Sequence, residues 1–347
     1  FMLQRYNKIG KKIKNFMQIK CPPPPQAFFH TPRHFITARR KNGTGCRKVG
    51  KRPDVFLPIR HLFLSKCPAA GKSGKKKWIH IVLFSYFCAK LYVMNTNKPY
   101  ILISNDDGYQ AGGINFLIEA LKPVADLVVM APDRPRSGAG CSITSTRPLT
   151  FRNLHSEEGL QIYACTGTPS DCVKLALEKV VSRTPDLVVG GINHGNNAST
   201  NAFYSGTMGV AFEGALQGVP SIAFSLCNDS PDADFSPLRS YLVDLVFKSI
   251  AMGMPPYTCL NVNFPDAPKF AGVRVCRMAR CRWKEEFTEG IHPHGQKYYW
   301  LAGHNVNLEP DDEDTDDWAL RHQYVAVTPT RVDVTDYHFL DICKACL

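Results

Sequence analysis

One stretch limits what this chain can become: Ile101-Leu102-Ile103-Ser104-Asn105-Asp106-Asp107-Gly108. A short apolar run ends in two adjacent carboxylates and a glycine. Small residues follow (Ala111-Gly112-Gly113), and a helical pattern starts at Ile114. The order is strand, tight acidic loop, helix. In an open parallel sheet such loops gather outside the carboxyl ends of the strands, where ligands bind. Adjacent carboxylates repel, and a cation between them lets both stay ionised. Oxygen donors of this kind suit Mg²⁺ or Mn²⁺, and no Cys or His stands close enough in sequence to suggest zinc. Asn-Asp-Asp-Gly is also ordinary turn chemistry, so the octet alone leaves a plain turn open.

The same theme recurs downstream. Residues 114–121 read as a helix and 126–130 as a second buried strand. That strand runs into a loop with Arg134, Arg136, Ser137 and Gly138. Guanidinium forks suit phosphate, and a serine oxygen can serve a metal; the plain alternative is a solvated loop. Residues 142–150 and 161–165 read as the strands of a hairpin. Thr168, Pro169 and Asp171 fit the N-cap, N1 and N3 positions of the next helix. Residues 186–189 form another buried strand, followed by a loop of small and amide residues that includes Asn193 and Asn197. An Asn offers a carbonyl oxygen to a hard cation or an amide donor to phosphate. Ser205-Gly206-Thr207 then opens an apolar helix over 208–216. A helix start of this composition presents free N–H groups and the positive dipole end, which together suit an anion.

A strand over 219–225 and a helix over 238–251 complete the alternation. The order predicts an α/β fold, a doubly wound, mostly parallel sheet with right-handed crossovers. Beyond about residue 256 the pattern changes: strands are expected over 259–264, 273–278 and 297–301, with 281–301 as a projecting hairpin or arm. The acidic run 311–317 reads as a solvated loop capping a helix over 318–322.

Charge divides the chain in two. Residues 1–97 carry 21 Lys+Arg and one acid, Asp54, for +20, whereas residues 98–347 carry −8. The basic excess therefore belongs to an N-terminal extension, 1–97, and a nucleic-acid argument would apply to that arm alone. The extension has a proline run at 22–25 and no sustained periodicity, so it is expected to be disordered or non-native, with Met94 a candidate start. Its acid-poor composition leaves an organelle-targeting role open beside a cytoplasmic location. Gly71-Lys72-Ser73 matches the end of a phosphate-binding loop, but Lys66 stands where the first glycine is required. The apolar run 78–93 is interrupted by His80 and Lys90 and is short for a membrane span. The 13 cysteines are scattered, several in apolar runs, as expected of reduced thiols in an intracellular protein.

Taken together, Ser104-Asn105-Asp106-Asp107-Gly108, Ala131-Pro132-Asp133-Arg134 with Arg136-Ser137-Gly138, Gly167-Thr168-Pro169 with Asp171-Cys172, and Gly191-Ile192-Asn193 with Tyr204-Ser205-Gly206-Thr207 resemble the SurE survival-protein family. The resemblance runs from about Pro99 to about Val332. Family members usually have Ala-Pro-Gly where this chain has Ala111-Gly112-Gly113, and the 281–301 region diverges. The resemblance implies a metal-dependent 5′/3′-nucleotidase with acid phosphatase activity and a Rossmann-like core. It implies Asp106, Asp107, Ser137 and Asn193 as ligands of a divalent cation, Mg²⁺ or Mn²⁺. It also implies a C-terminal extension exchanged between subunits, giving a homodimer or homotetramer. In the mechanism expected from this, Asp106, Asp107 and Asn193 form the catalytic set, while Ser205, Gly206, Thr207 and Asn197 hold the phosphate of a nucleoside monophosphate or another small phosphate ester. Neither a membrane nor a nucleic acid is an expected partner. The competing reading is a non-catalytic nucleotide or anion binder with a basic RNA-contacting arm.

Overall fold

The computed structural model describes residues 98–347, so the expectations for the basic extension fall outside the described residues. The first half is built from β1 (Tyr100–Ser104), α1 (Gly112–Leu121), β2 (Asp126–Pro132), β3 (Phe151–Glu157), β4 (Leu160–Cys165), α2 (Pro169–Lys179), β5 (Leu187–His194), α3 (Gly206–Leu216) and β6 (Ser221–Leu226). Next come α4 (Arg239–Met252), β7 (Thr258–Phe264), β8 (Gly272–Val275), β9 (Cys281–Lys284), β10 (Phe287–Ile291), β11 (Lys297–Leu301), β12 (His304–Asn307), α5 (Asp316–Arg321), β13 (Tyr324–Arg331) and α6 (Tyr337–Cys346).

Nine strands form one sheet in the order β3-β4-β2-β1-β5-β6-β7-β13-β8. The six strands from β4 to β7 are mutually parallel, and antiparallel pairing enters only at β3–β4 and β7–β13. The fold is thus the doubly wound, mostly parallel α/β sheet that the alternation predicts. Period-2 alternation in β1 shows how the two helical layers are served. Ile101 and Ile103 join a core with residues of α1 and α4, such as Leu117 and Leu242. Leu102 joins the opposite core with Val173 and Ala176 of α2. All three β1 side chains are fully buried, each worth about 1.5–3 kcal/mol of apolar burial.

Strand order fixes where a site can form. From β1 the chain steps to β2 on one side, and β5 occupies the other side before the sheet grows through β6 to β7. The direction of growth reverses between β1 and β5, which leaves a crevice outside their carboxyl ends. The loop just after β1 carries Asp106 and Asp107, and the end of β5 carries Asn193. At the end of β5 the pairing with β6 shifts between Gly190 and Asn193, a local irregularity that re-aims the strand end.

Some expected elements move. Residues 142–150 form no strand; the edge strand is β3, beginning at Phe151. Pro148 interrupts the β-branched run, and Thr144 N–H instead donates to the Asp171 carboxylate. The periodicity reading missed β13 and α6. The projecting arm exists, with β9–β12 as its stem and β10–β11 as its tip. Phe287, Trp300 and Leu301 of the tip are exposed, and α6 buries no residue. The acidic run caps α5 through Thr315, as expected of a cap, but Asp316 is fully buried and not solvated. The described cysteines are all free. No helix among the described residues is long and apolar enough to cross a membrane.

Candidate active site

The loop after β1 is closed by its own residues. Asn105 is fully buried and its Nδ2 donates to the Gly108 carbonyl at 2.9 Å. Gly108 has φ +94°, and a side chain there would meet the Arg134 and Pro132 backbone at 3.3–3.4 Å. Only glycine combines that conformation with that contact. Tyr109 N–H donates to the Pro132 carbonyl at 3.0 Å and Arg136 N–H to the Asp106 carbonyl at 2.7 Å. Two backbone bonds therefore seat the Arg134–Ser137 loop on the acidic loop, and Ser137, exposed, follows directly after Arg136. The Arg136 guanidinium donates to the Thr166 carbonyl, 2.9 Å distant.

Asp106 is almost wholly buried. The Thr207 hydroxyl donates to its Oδ1 at 2.5 Å and Gly206 N–H to its Oδ2 at 3.1 Å. A Cβ on Gly206 would lie 2.7 Å from Asp106 Cβ, so the carboxylate reaches the start of α3 because that residue has no side chain. Asp107 is half-buried and accepts the His194 backbone N–H at 3.3 Å. Asn193 donates from Nδ2 to the Gly195 carbonyl at 2.9 Å, which leaves its Oδ1 as the free acceptor. Asp106, Asp107, Asn193 and the Ser137 loop thus meet at one crevice.

Burial pushes the Asp106 carboxyl up to about 6, opposed by the Thr207 hydroxyl and reinforced by the neighbouring charge of Asp107. Burial also raises Asp107, against the His194 N–H. Both acids are held where ionisation is unfavourable without a nearby positive charge. Among the described residues there is no cluster of three or more His, Cys, Asp or Glu that could hold a metal. The donor set here is two carboxylates with neutral amide and hydroxyl oxygens, which fits a hard, oxygen-loving divalent cation such as Mg²⁺ or Mn²⁺ and does not fit zinc.

The expected phosphate donors are arranged otherwise than their sequence suggests. Gly206 N–H and the Thr207 hydroxyl face Asp106, because the carboxylate occupies the N-terminus of α3 where an anion was expected. Asn197 is buried in an amide network: its Nδ2 donates to Ser225 Oγ at 2.8 Å, its N–H to Asn263 Oδ1, and its carbonyl accepts from Asn261 Nδ2. Asn263 in turn donates to Asn261. With its amide engaged inside, Asn197 shapes the loop from beneath. Ser205 accepts Met208 N–H at 3.0 Å as the N-cap, and its own O–H remains available to donate.

Sequence reading also passed over several contributors. His194 supplies the N–H to Asp107, and its ring bridges to the Ser230 carbonyl at 3.0 Å and packs edge-on against Phe235. Asp316 accepts Ser199 N–H at 2.8 Å and Ala279 N–H at 2.9 Å, tying the C-terminal part to the loop after β5. The i, i+2 spacing of Asn261 and Asn263 in β7 was the one available signal for the amide network: two polar residues share a face of an otherwise apolar strand.

Residues 101–285 match the family model described as "Survival protein SurE". The chain is 51% identical over 248 residues to the 5′-nucleotidase SurE of Bacteroides thetaiotaomicron, covering 72% of this chain and 96% of that protein. It is 52% identical over 251 residues to the protein of the same name from Phocaeicola vulgatus, covering 72% of this chain and 98% of that one. The crystal structure of the SurE protein from Aquifex aeolicus superposes with a TM-score of 0.63 at 39% identity, over 72% of this chain and 99% of that one.

Proposed function

The chain belongs to the survival protein SurE family, and on that premise we propose that it is a phosphomonoesterase that hydrolyses nucleoside 5′-monophosphates, and 3′-monophosphates, to nucleoside and phosphate. The observation that carries the reading is the pair of adjacent carboxylates, buried Asp106 and half-buried Asp107, at the switch point of a parallel sheet. The names of the curated relatives support the nucleotide as substrate.

In this reading Asp106, Asp107, Ser137 and Asn193 would hold a divalent cation, Mg²⁺ or Mn²⁺. When bound, such a cation supplies Lewis acidity, which polarises a phosphoryl oxygen and makes water a better nucleophile at neutral pH. The chain's own residues do the positioning. Thr207 and Gly206 fix both oxygens of Asp106, so the carboxylate cannot rotate. His194 N–H orients Asp107, and the Gly195 carbonyl turns Asn193 so that its oxygen is the free end. The Ser205 hydroxyl, beside these groups in sequence, is the remaining donor for a phosphate oxygen. An aspartyl-phosphate intermediate ranks low, since that chemistry usually separates its two acids by one residue and here they are adjacent.

The exposed apolar tip of the β10–β11 hairpin and the unburied α6 support assembly with further copies of the chain as a homodimer or homotetramer. The deciding experiment is release of phosphate from adenosine 5′-monophosphate, with and without EDTA. Hydrolysis that stops on chelation and returns with added Mn²⁺ or Mg²⁺ is the expected result. Tight nucleotide binding without phosphate release would instead favour a sensor, and chelator-insensitive hydrolysis would remove the metal from the account.

A further inference from the structure

Two aromatic residues stand exposed immediately before the helix that holds Asp106. Phe203 is 56% and Tyr204 62% exposed, at the end of the short 3₁₀ turn Ser199–Phe203. Large exposed aromatics on a loop are usually mobile, but the backbone beneath these two is tied from three directions. Tyr204 N–H and Ser205 N–H both donate to the Asn201 carbonyl, at 3.0 and 3.2 Å. Gly140 N–H donates to the Tyr204 carbonyl at 3.0 Å, which joins this segment to the loop carrying Ser137. The Asn201 side chain accepts from Trp283 Nε1 at 3.1 Å and from Asn305 Nδ2 at 3.2 Å, both from the stem of the arm. Behind them, the buried Asp316 holds Ser199, whose φ is +53°.

The segment is therefore a hydrogen-bonded backbone mount, joined to the Ser137 loop and to the start of α3, that carries two exposed aromatic side chains. Tyr204 lies two residues from Gly206, whose N–H touches Asp106, so their Cα atoms are at most roughly 7 Å apart. A pre-ordered aromatic adds binding energy without a further ordering cost, and every nucleobase has a flat face to offer it. Neither the cation-holding oxygens nor the Ser205 hydroxyl can tell a nucleotide from a bare sugar phosphate, because they meet only the phosphate.

We propose that Tyr204 is the base platform of the site: the nucleobase stacks on its ring, with Phe203 forming the rim, while the phosphate lies at Asp106 and Asp107. The inference rests on the phosphomonoesterase reading and adds the means by which a nucleoside is preferred.

The test compares kcat/KM for adenosine 5′-monophosphate with that for ribose 5-phosphate, which has the same phosphate and no base. Tyr204→Ala is expected to lower the ratio of the two values about tenfold, chiefly through KM for the nucleotide. Tyr204→Phe, which keeps the ring, is expected to preserve the ratio. Should the alanine variant not fold, Tyr204→Leu keeps bulk but not a flat face and is expected to show the same drop. A ratio unchanged in the variant overturns the proposal, whether both substrates suffer equally or neither does. A wild-type chain that hydrolyses ribose 5-phosphate but shows no preference for the nucleotide overturns it as well. A wild-type chain that hydrolyses neither removes the phosphomonoesterase reading, and this one with it.

Discussion

Asp106 and Asp107 are neighbours in sequence but have different surroundings. Asp106 is fixed by Thr207 and Gly206 inside the protein, whereas Asp107 is half-buried at the edge of the crevice. Asp107→Asn keeps the shape and removes one charge, so the fold is expected to survive while phosphatase turnover falls at least ~100-fold, the size usual for losing a charge-stabilising group. Near-normal metal-dependent turnover in that variant would reject the assignment. Asp106 gives a pH signature. Its folded carboxyl titrates near 6 against an ordinary 3.8, so the folded chain binds the proton more tightly than the unfolded chain. Stability from this group is then greatest at low pH and declines as pH rises from about 4 to about 6, by about 3 kcal/mol in all. In chelating buffer, the urea stability of wild type minus that of Asp106→Asn should decline over this window and level off above it. A difference that rises with pH there would contradict the burial argument.

At the level of elements, the site depends on the start of α3 lying against the end of β1. Gly206→Ala would put a methyl 2.7 Å from Asp106 Cβ, and backbone on one side or the other must shift. The expected outcome is a loss of at least ~10-fold in turnover and a stability cost of about 1–3 kcal/mol, typical of overpacking, read by kinetics and urea midpoints. A variant with wild-type kinetics would show that this contact does not set the geometry. Asp316→Ala tests the brace between the C-terminal part and the loop after β5. It leaves Ser199 and Ala279 N–H groups unpaired in the interior, each costing about 1–3 kcal/mol. Its urea midpoint should fall sharply, and an unchanged midpoint would mean that water replaces the carboxylate.

For the molecule as a whole, charge and exposed apolar surface lead to separate expectations. The +20 of residues 1–97 is set apart from a −8 remainder that holds every candidate site residue. A chain starting at Met94 is therefore expected to keep full hydrolysis, whereas a binder driven by the basic segment would lose its affinity. On the arm, Trp300 and Leu301 are 70% and 74% exposed. If the arm joins copies of the chain, Trp300→Glu together with Leu301→Glu should lower the mass read by light scattering. An unchanged mass would place the contact elsewhere.

Features readable from the order of residues alone are local. Apolar runs of four or five residues specified the parallel strands, and Thr168-Pro169-Ser170-Asp171 specified the capping box that starts α2, because a cap is made by residues three apart. The strand-end loops were legible for the same reason, since each follows a strand that could be recognised, whereas the choice of Asp106, Asp107, Ser137 and Asn193 as one ligand set came from the family resemblance. Tertiary structure decided which partner each donor meets. Thr207 and Gly206 could have faced a phosphate, and the crossing of α3 over β1 gives them to Asp106 instead. Asn197 could have pointed outward, and two asparagines some 65 residues away hold it inside. A buried hydrogen-bonding group takes whichever partner the packed chain brings within reach, and that choice is made across the sheet, where no sequence spacing records it.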